Sequence, residues 1–340
     1  MTQPRSRLRA LVVGSGYRVR NAFLPALSLL DSHIETVAIY SRTPENARRA
    51  GERWGVAAID DPRVLRPGDI DIALVSVTVT NNLDVLKSIA HLAPGAALVI
   101  DTPGVGRFDD LARLAQFRKW SQIRVGEDFM NMPQYRLVGD AIRAGALGDV
   151  SRVSMSEMGY RYHALALVRS WLDLMAPTTA RSHRVPGGVN IDYRFRGGKA
   201  GEVREPYRQG EGSFVVTGSK ATLTGHPMGH DIPDAKGAKL TRLEGADGLA
   251  GFAIDGLETP MKIDLPHHAA VGAMSLEDDS EFNLLRIDGL SKVISSLWLP
   301  DPVNSRYRLE DAVADNLISF AARSSPWVPA SAIRLRGASR

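Results

Sequence analysis

The apolar run Leu8–Val13 stops on Gly14-Ser15-Gly16, and Ala22, Phe23, Ala26, Leu27 and Leu30 follow at helical spacing. A buried strand that ends on glycines and turns directly into a helix commits the chain to a βα start. The next hundred or so residues repeat that grammar. Thr36–Tyr40 reads as a strand, Pro44–Trp54 as a helix stopped by Gly55, and Val56–Ile59 as a short strand. Ile72–Val79 is almost continuously apolar, as strands covered on both faces are. A helix at Asp84–Leu92, a strand at Ala96–Ile100 and a helix at Asp109–Trp120 lead to a last strand at Ile123–Val125. Strands alternating with helices of about ten residues imply βαβ units and a parallel sheet.

Beyond residue 125 the pattern changes. Helices are expected at Tyr135–Arg143 and Tyr162–Met175, with a strand at Val150–Glu157 between them. Strand-like pieces split by glycine-rich turns follow, at Asn190–Phe195, Ser213–Thr217 and Ala221–Leu223, which is the pattern of a mostly antiparallel sheet. Gly225–Gly256 reads as a loop excursion, and Leu290–Trp298 and Leu309–Ala322 as closing helices. The expected class is α/β, with a Rossmann domain at 1–125 and a second α/β domain at 126–340 for substrate binding and oligomerisation.

Length and composition fit this reading and remove others. A chain of 340 residues suits two domains. It has no cysteine, so disulfides, zinc-thiolate sites, iron–sulfur clusters and a Cys nucleophile are excluded. The pI of about 9.4 arises from a formal net charge of only +4. Its 34 Arg against 8 Lys are spread along the chain, more as a GC-rich codon bias than a binding stripe. The densest basic run, Arg5 to Arg9, leads straight into the first strand, so no nucleic-acid partner is expected. The apolar stretch Ala10–Val13 is too short for a signal-peptide core, and no window nears the ~20 apolar residues of a membrane span. A cytoplasmic, soluble protein is therefore expected.

A strand, Gly14-Ser15-Gly16 and a helix form the context of a dinucleotide-binding turn, in which glycines permit the tight turn and close approach of the pyrophosphate. Tyr17 and Arg18 follow on the same turn, and Val19 stands where the fingerprint's third glycine would be. At the end of the second strand, an NAD site usually places an acid against the ribose 2′-hydroxyl. Here Ser41, Arg42 and Thr43 fill that place, a set suited to a 2′-phosphate. NADP is the expected cofactor, with NAD as the alternative.

The order of these motifs resembles the glucose–fructose oxidoreductase/inositol dehydrogenase/MocA family of nicotinamide-dependent oxidoreductases. The resemblance runs from the glycine turn and Pro25-Ala26-Leu27 through Asp69–Val75 to Gly218–Leu223 and Tyr307–Ala312. It implies a Rossmann domain followed by an α/β domain whose open sheet forms the oligomer interface. It also implies cofactor contacts at Thr78, Thr80 and Asn81, and at Asp101, Thr102 and Pro103, which stand where the family usually carries Glu-Lys-Pro. The family's lysine is thus Thr102 here, and the Thr102–Pro103 bond is a candidate cis peptide. Glu127, with Asp128, follows the last Rossmann strand at the mouth where ligands bind. By resemblance, Tyr160, Tyr162 and His163 open the helix that lines the active site, where Gly159 takes the place of a common Asp. An imidazole exchanges its proton near neutral pH, so His163 is the first candidate proton donor, with Tyr162, Tyr160 and Asp101 beside it.

No metal site is expected: Pro227 and Gly229 forbid the helix that would align His226 and His230, and His267-His268 has no nearby sequence partner. Neither a nucleophile elbow nor a P-loop occurs. These observations imply an NADP(H)-dependent oxidoreductase acting on a small polar ketone, imine or sugar-like substrate, and a homo-oligomer, dimer or tetramer. Two rivals follow from the same residues. One is a catalytically silent NADP-binding sensor, the other an enzyme whose bound cofactor cycles through transient oxidation with net elimination.

Overall fold

In a computed structural model of the chain, the first strand, β1 (Leu8–Val13), lies inside a six-stranded sheet with β2 (Ile34–Tyr40), β3 (Ala58–Ile59), β4 (Ile72–Val75), β5 (Ala97–Asp101) and β6 (Ile123–Gly126). The structure describes residues 7–106, 110, 113, 117–246, 248–265, 271, 274, 276–324 and 328–329. They fall into two units, Met1–Asp128 with Ala270–Val313, and Phe129–Ala269 with Ala314–Arg340.

The order β3-β2-β1-β4-β5-β6, with every neighbour parallel, is a Rossmann sheet. Ala10 to Val13 and all four residues of β4 are buried, which is why their sequences read as unbroken apolar runs. Strand order reverses between β1 and β4, and the crevice this opens at their C-terminal ends is where such sheets bind ligands. β4 ends at Val75, four residues before the apolar run does. Ser76, Val77 and Thr78 leave the sheet and enter a 3₁₀ turn at Val79–Asn81.

The helical region after the glycine turn begins as a π-helix, Val19–Phe23, and continues as the α-helix Leu24–Ser28. Pro44–Trp54 starts on proline and ends at Gly55, whose φ of 66° is the left-handed cap that glycine favours. Most of the helix expected at 109–120 lies outside the described residues. The helix read from Leu290 in fact begins at Glu281, where the Ser280 hydroxyl accepts from the Asn283 N–H at 3.3 Å. Its Leu284, Ile287, Leu290 and Val293 join Val12 and Phe23 in one apolar core. Residues 270–313, which sequence assigns to the second domain, thus complete the first unit.

The second unit is built on a ten-stranded, mostly antiparallel sheet. Its strands are β7 (Val150–Ser156), β8 (Thr179–Val185), β9 (Gly188–Arg194), β10 (Ala200–Glu205), β11 (Ser213–Gly218), β12 (Thr222–Gly225), β13 (Ala238–Gly245), β14 (Gly248–Asp255), β15 (Met261–Asp264) and β16 (Val328–Pro329). The order is β15-β14-β13-β12-β11-β7-β10-β9-β8-β16, with parallel pairs at β7/β10 and β12/β13. The expected loop at 225–256 is corrected: half of it is the β13/β14 pair, in which Leu240, Phe252 and Ile254 are buried. Lys, Gly and Asp between those positions hide the period-two alternation in composition.

Val153, Met155, Ile191, Tyr193, Val203, Phe214 and Val216 point to one side of this sheet and are buried. The opposite face is polar and paired across strands. Asn190 and Arg152 reach Glu202, and His183 Nδ1 lies 3.3 Å from Asp192. Among the described residues, no helix is long and apolar enough to cross a membrane.

Candidate active site

β1 is pinned at its end on both sides, with the Gly14 N–H donating to Tyr40 O at 2.8 Å and the Ser76 N–H to Val13 O at 2.9 Å. These contacts hold open a cleft of about 340 Å³ at the β1/β4 crossover. Gly14 has φ of 121°, and a Cβ there would lie 2.0 Å from Ser76 O, so the turn admits no side chain. A Cβ on Gly16 would meet no protein atom within 4 Å. Packing does not demand that glycine; the bare backbone faces the cleft, as a pyrophosphate cradle requires.

Of the expected cofactor residues, Gly14, Gly16, Tyr17, Arg18, Ser41, Arg42, Thr43, Thr78, Asn81 and Asp101 line this cleft together. Thr80, Thr102, Pro103 and Glu127 are not on its wall. Thr102 and Pro103, which follow Asp101, are joined by a cis peptide bond, and Glu127 is fully buried beyond β6. Ser76 was hidden inside the apolar run, yet it lines the cleft and its hydroxyl donates to Asp101 Oδ2 at 2.8 Å. A hydroxyl placed where a strand's apolar pattern continues on both sides was the one available signal. At the β2 end, Ser15 Oγ donates to Ser41 Oγ at 2.9 Å, while Arg42 is exposed and makes no ion pair among the described residues.

Arg18 does not hang free in the cleft. Its guanidinium lies 3.3 Å from both Asp101 oxygens and 2.6 Å from Asp128 Oδ2. Burial alone would lower its pKa, but Asp101 and Asp128 together raise it. Arg286 donates to the same Asp128 oxygen at 2.9 Å.

The segment before Glu281 straps the opening helix. Arg20 and Arg53 reach Glu277 at 2.7 and 3.2 Å, the Tyr17 hydroxyl donates to Asp278 at 2.5 Å, and Asn21 Oδ1 accepts from the Glu277 N–H. The hydrogen bond from Arg20 is the first cause holding the Glu277 carboxyl down at about 2. Because this folded-state value is depressed, the strap's contribution is full above about pH 4.5 and fades as pH falls toward 2.

In the second unit, the helix Arg161–Trp171 carries His163 in an aromatic cluster. The His163 ring lies 4.2 Å from Tyr162, 5.9 Å from Phe129 and 6.4 Å from Tyr160, so all three sequence candidates meet here. Tyr160 also meets Tyr207 at 5.9 Å and is covered by the Arg161 guanidinium at 4.9 Å. A Cβ on Gly159 would lie 2.5 Å from Ala164 Cβ, a packing reason for glycine where the resemblance leads one to expect an acid. The His226 and His230 rings lie 4.9 Å apart and tilted, and His226 is spent locally as acceptor for the Met228 N–H. His267 and His268 lie outside the described residues.

Three kinds of similarity bear on this site. The sequence profile of an oxidoreductase family with an NAD-binding Rossmann fold matches residues 8–129. A dTDP-3,4-didehydro-2,6-dideoxy-alpha-D-glucose 3-reductase from Streptomyces violaceoruber is 30% identical over 152 residues. That match spans 44% of this chain and 44% of that enzyme, under half of each. Among solved structures, a levoglucosan dehydrogenase with NADH and levoglucosan superposes with a TM-score of 0.66 at 13% identity, over 95% of this chain and 99% of that one. A 3-ketoreductase from Actinomadura kijaniata, with TDP-benzene and NADP, gives 0.59 at 17% identity over 94% and 97%.

Proposed function

We propose that the chain, whose residues 8–129 match an oxidoreductase family with an NAD-binding Rossmann fold and whose motif order resembles the glucose–fructose oxidoreductase/inositol dehydrogenase/MocA proteins, is an NADP(H)-dependent oxidoreductase of a small polar ketone, imine or sugar-like substrate. The observation that carries the reading is the cleft at the β1/β4 crossover, where Gly16 is bare for no packing reason. Similarity to a nucleotide-sugar 3-reductase supports a keto-sugar as the first substrate to try.

The residues fit the cofactor end to end. Gly14 and Gly16 leave backbone open to a pyrophosphate, and Ser41, Arg42 and Thr43 receive a 2′-phosphate. Thr78, Asn81 and Asp101 line the other end, toward a nicotinamide and its ribose, with Thr80, Thr102, Pro103 and Glu127 around them. When bound, the nicotinamide gives or takes the hydride. The chain's own task is to orient that ring, exclude water and move one proton, which we assign to His163, with Tyr162 and Tyr160 as the neighbouring hydroxyls.

A guanidinium–phosphate contact of about 1.5–3 kcal/mol gives NADPH roughly a 10–150-fold advantage over NADH. Fluorescence titration of both cofactors on wild type and Arg42→Ala checks this. Equal affinities in the wild type, or an unchanged ratio in the variant, would overturn the NADP assignment. The reading also carries a homo-oligomer, dimer or tetramer, through the open sheet; light scattering at micromolar concentration is expected to give a multiple of 36.9 kDa.

A further inference from the structure

At the end of the cleft away from Arg42, Asp101 lines the wall and two further carboxylates lie behind it. Asp101 ends β5, Glu127 and Asp128 follow β6, and the last two are 0% and 1% exposed. Acids gathered this closely at a buried edge need positive charge among them. Arg18 brings it from the β1 turn: besides Asp101 and Asp128, its Nη2 donates to the Gly126 carbonyl at 3.3 Å. Asp101 is thereby held on all sides, by Arg18, by the Ser76 hydroxyl and by the Thr102 N–H at 3.1 Å. Among the described residues, the cations on the cleft wall are Arg18 and Arg42, and Arg42 belongs to the β2 end. Thr102, directly after Asp101, carries no charge.

We propose that Arg18 is the positioning residue for the nicotinamide end of the cleft, supplying there the positive charge that Thr102 lacks. The inference rests on the cofactor reading above. Arg18 reaches across the crossover from the first turn of the fold and clamps the ends of two other strands, so one side chain sets where Asp101 presents its oxygens. A lysine at 102 would have supplied both a charge and a transferable proton. A guanidinium supplies the charge alone, because it does not deprotonate in proteins. Charge and proton transfer are therefore divided between residues here, and the proton must come from elsewhere in the chain.

The test uses three variants: Arg18→Lys, Arg18→Met, and Arg18→Met combined with Thr102→Lys. Each is followed by NADPH fluorescence titration, by melting temperature and by separate kcat and KM. Arg18→Met is expected to weaken NADPH binding by at least about 30-fold, since it strands carboxylates beside an anionic cofactor. Adding Thr102→Lys should restore affinity to within about fivefold of wild type, and Arg18→Lys should hold an intermediate value. A purely structural role would lower the melting temperature without rescue by a lysine at 102. A folded Arg18→Met that binds NADPH within twofold of wild type overturns the proposal, as does a double variant no better than the single. If Arg18→Met does not fold, Arg18→Lys decides: a folded Arg18→Lys that binds NADPH about 30-fold or more weaker than wild type means that charge is not what Arg18 contributes. Wild-type protein that binds neither dinucleotide overturns the cofactor reading first, and is recognised by that result alone.

Discussion

Replacing His163 with alanine is expected to lower turnover by about 10²–10⁴-fold while leaving NADPH affinity within a few-fold, the range for loss of a general acid or base. The hydroxyl of Thr102 is a poor acid near neutral pH, and Arg18 cannot release a proton. An imidazole can, and His163 is held in place by ring contacts with Tyr162 and Phe129. Steady-state kinetics on keto-sugars, paired with cofactor titration, separates the two effects. If turnover survives within about fivefold, His163 is structural and Tyr160, Tyr162 or water moves the proton.

Asp315→Ala is expected to destabilise the second unit by about 3–5 kcal/mol. Arg169 and Asp315 are 3% and 0% exposed, and their side chains meet at 2.7 Å. The remaining guanidinium nitrogens are committed to the Met175 and Leu174 carbonyls at 2.9 and 3.0 Å, so Arg169 cannot swing out to water when its partner is removed. At about 2–4 °C per kcal/mol, the melting temperature of the variant should fall by roughly 6–20 °C. Replacing both residues by apolar ones of similar size should cost less, because no charge is then stranded. A single variant that melts within 2 °C of wild type would show that the pair contributes no net stability.

Much of the first unit is legible because its signals are local. β1, the glycine turn and the helix at Pro44 each announce themselves within a dozen residues, through burial pattern, proline and glycine. Arg18 shows the limit. Its sequence neighbours mark it as cofactor-facing, and it does line the cleft, but its partners are 83 and 110 residues away and no spacing rule predicts them. The same holds for the start of the helix at Glu281, whose preceding segment is bound by Arg20 and Tyr17, 257 and 261 residues away. In the second unit, β13 and β14 were missed because charged and glycine residues fill the outward positions. The grouping of Tyr160, Tyr162 and His163 was legible from the helix start they share. Their ring contacts with Phe129 and Tyr207 required the fold.

The return of residues 270–313 to the first unit has a consequence for biosynthesis. A chain made from its N-terminus exposes the whole six-stranded sheet early, but the apolar face that awaits Leu284, Ile287, Leu290 and Val293 stays uncovered until that helix emerges. At ~5–20 residues per second, the roughly 150 intervening residues delay this closure by about 8–30 s. The cofactor-binding unit is therefore begun first and finished late, around a second unit whose sheet is already largely synthesised. Chaperone capture of ribosome-bound chains should be greatest in that interval and should end once residue 295 has cleared the exit tunnel.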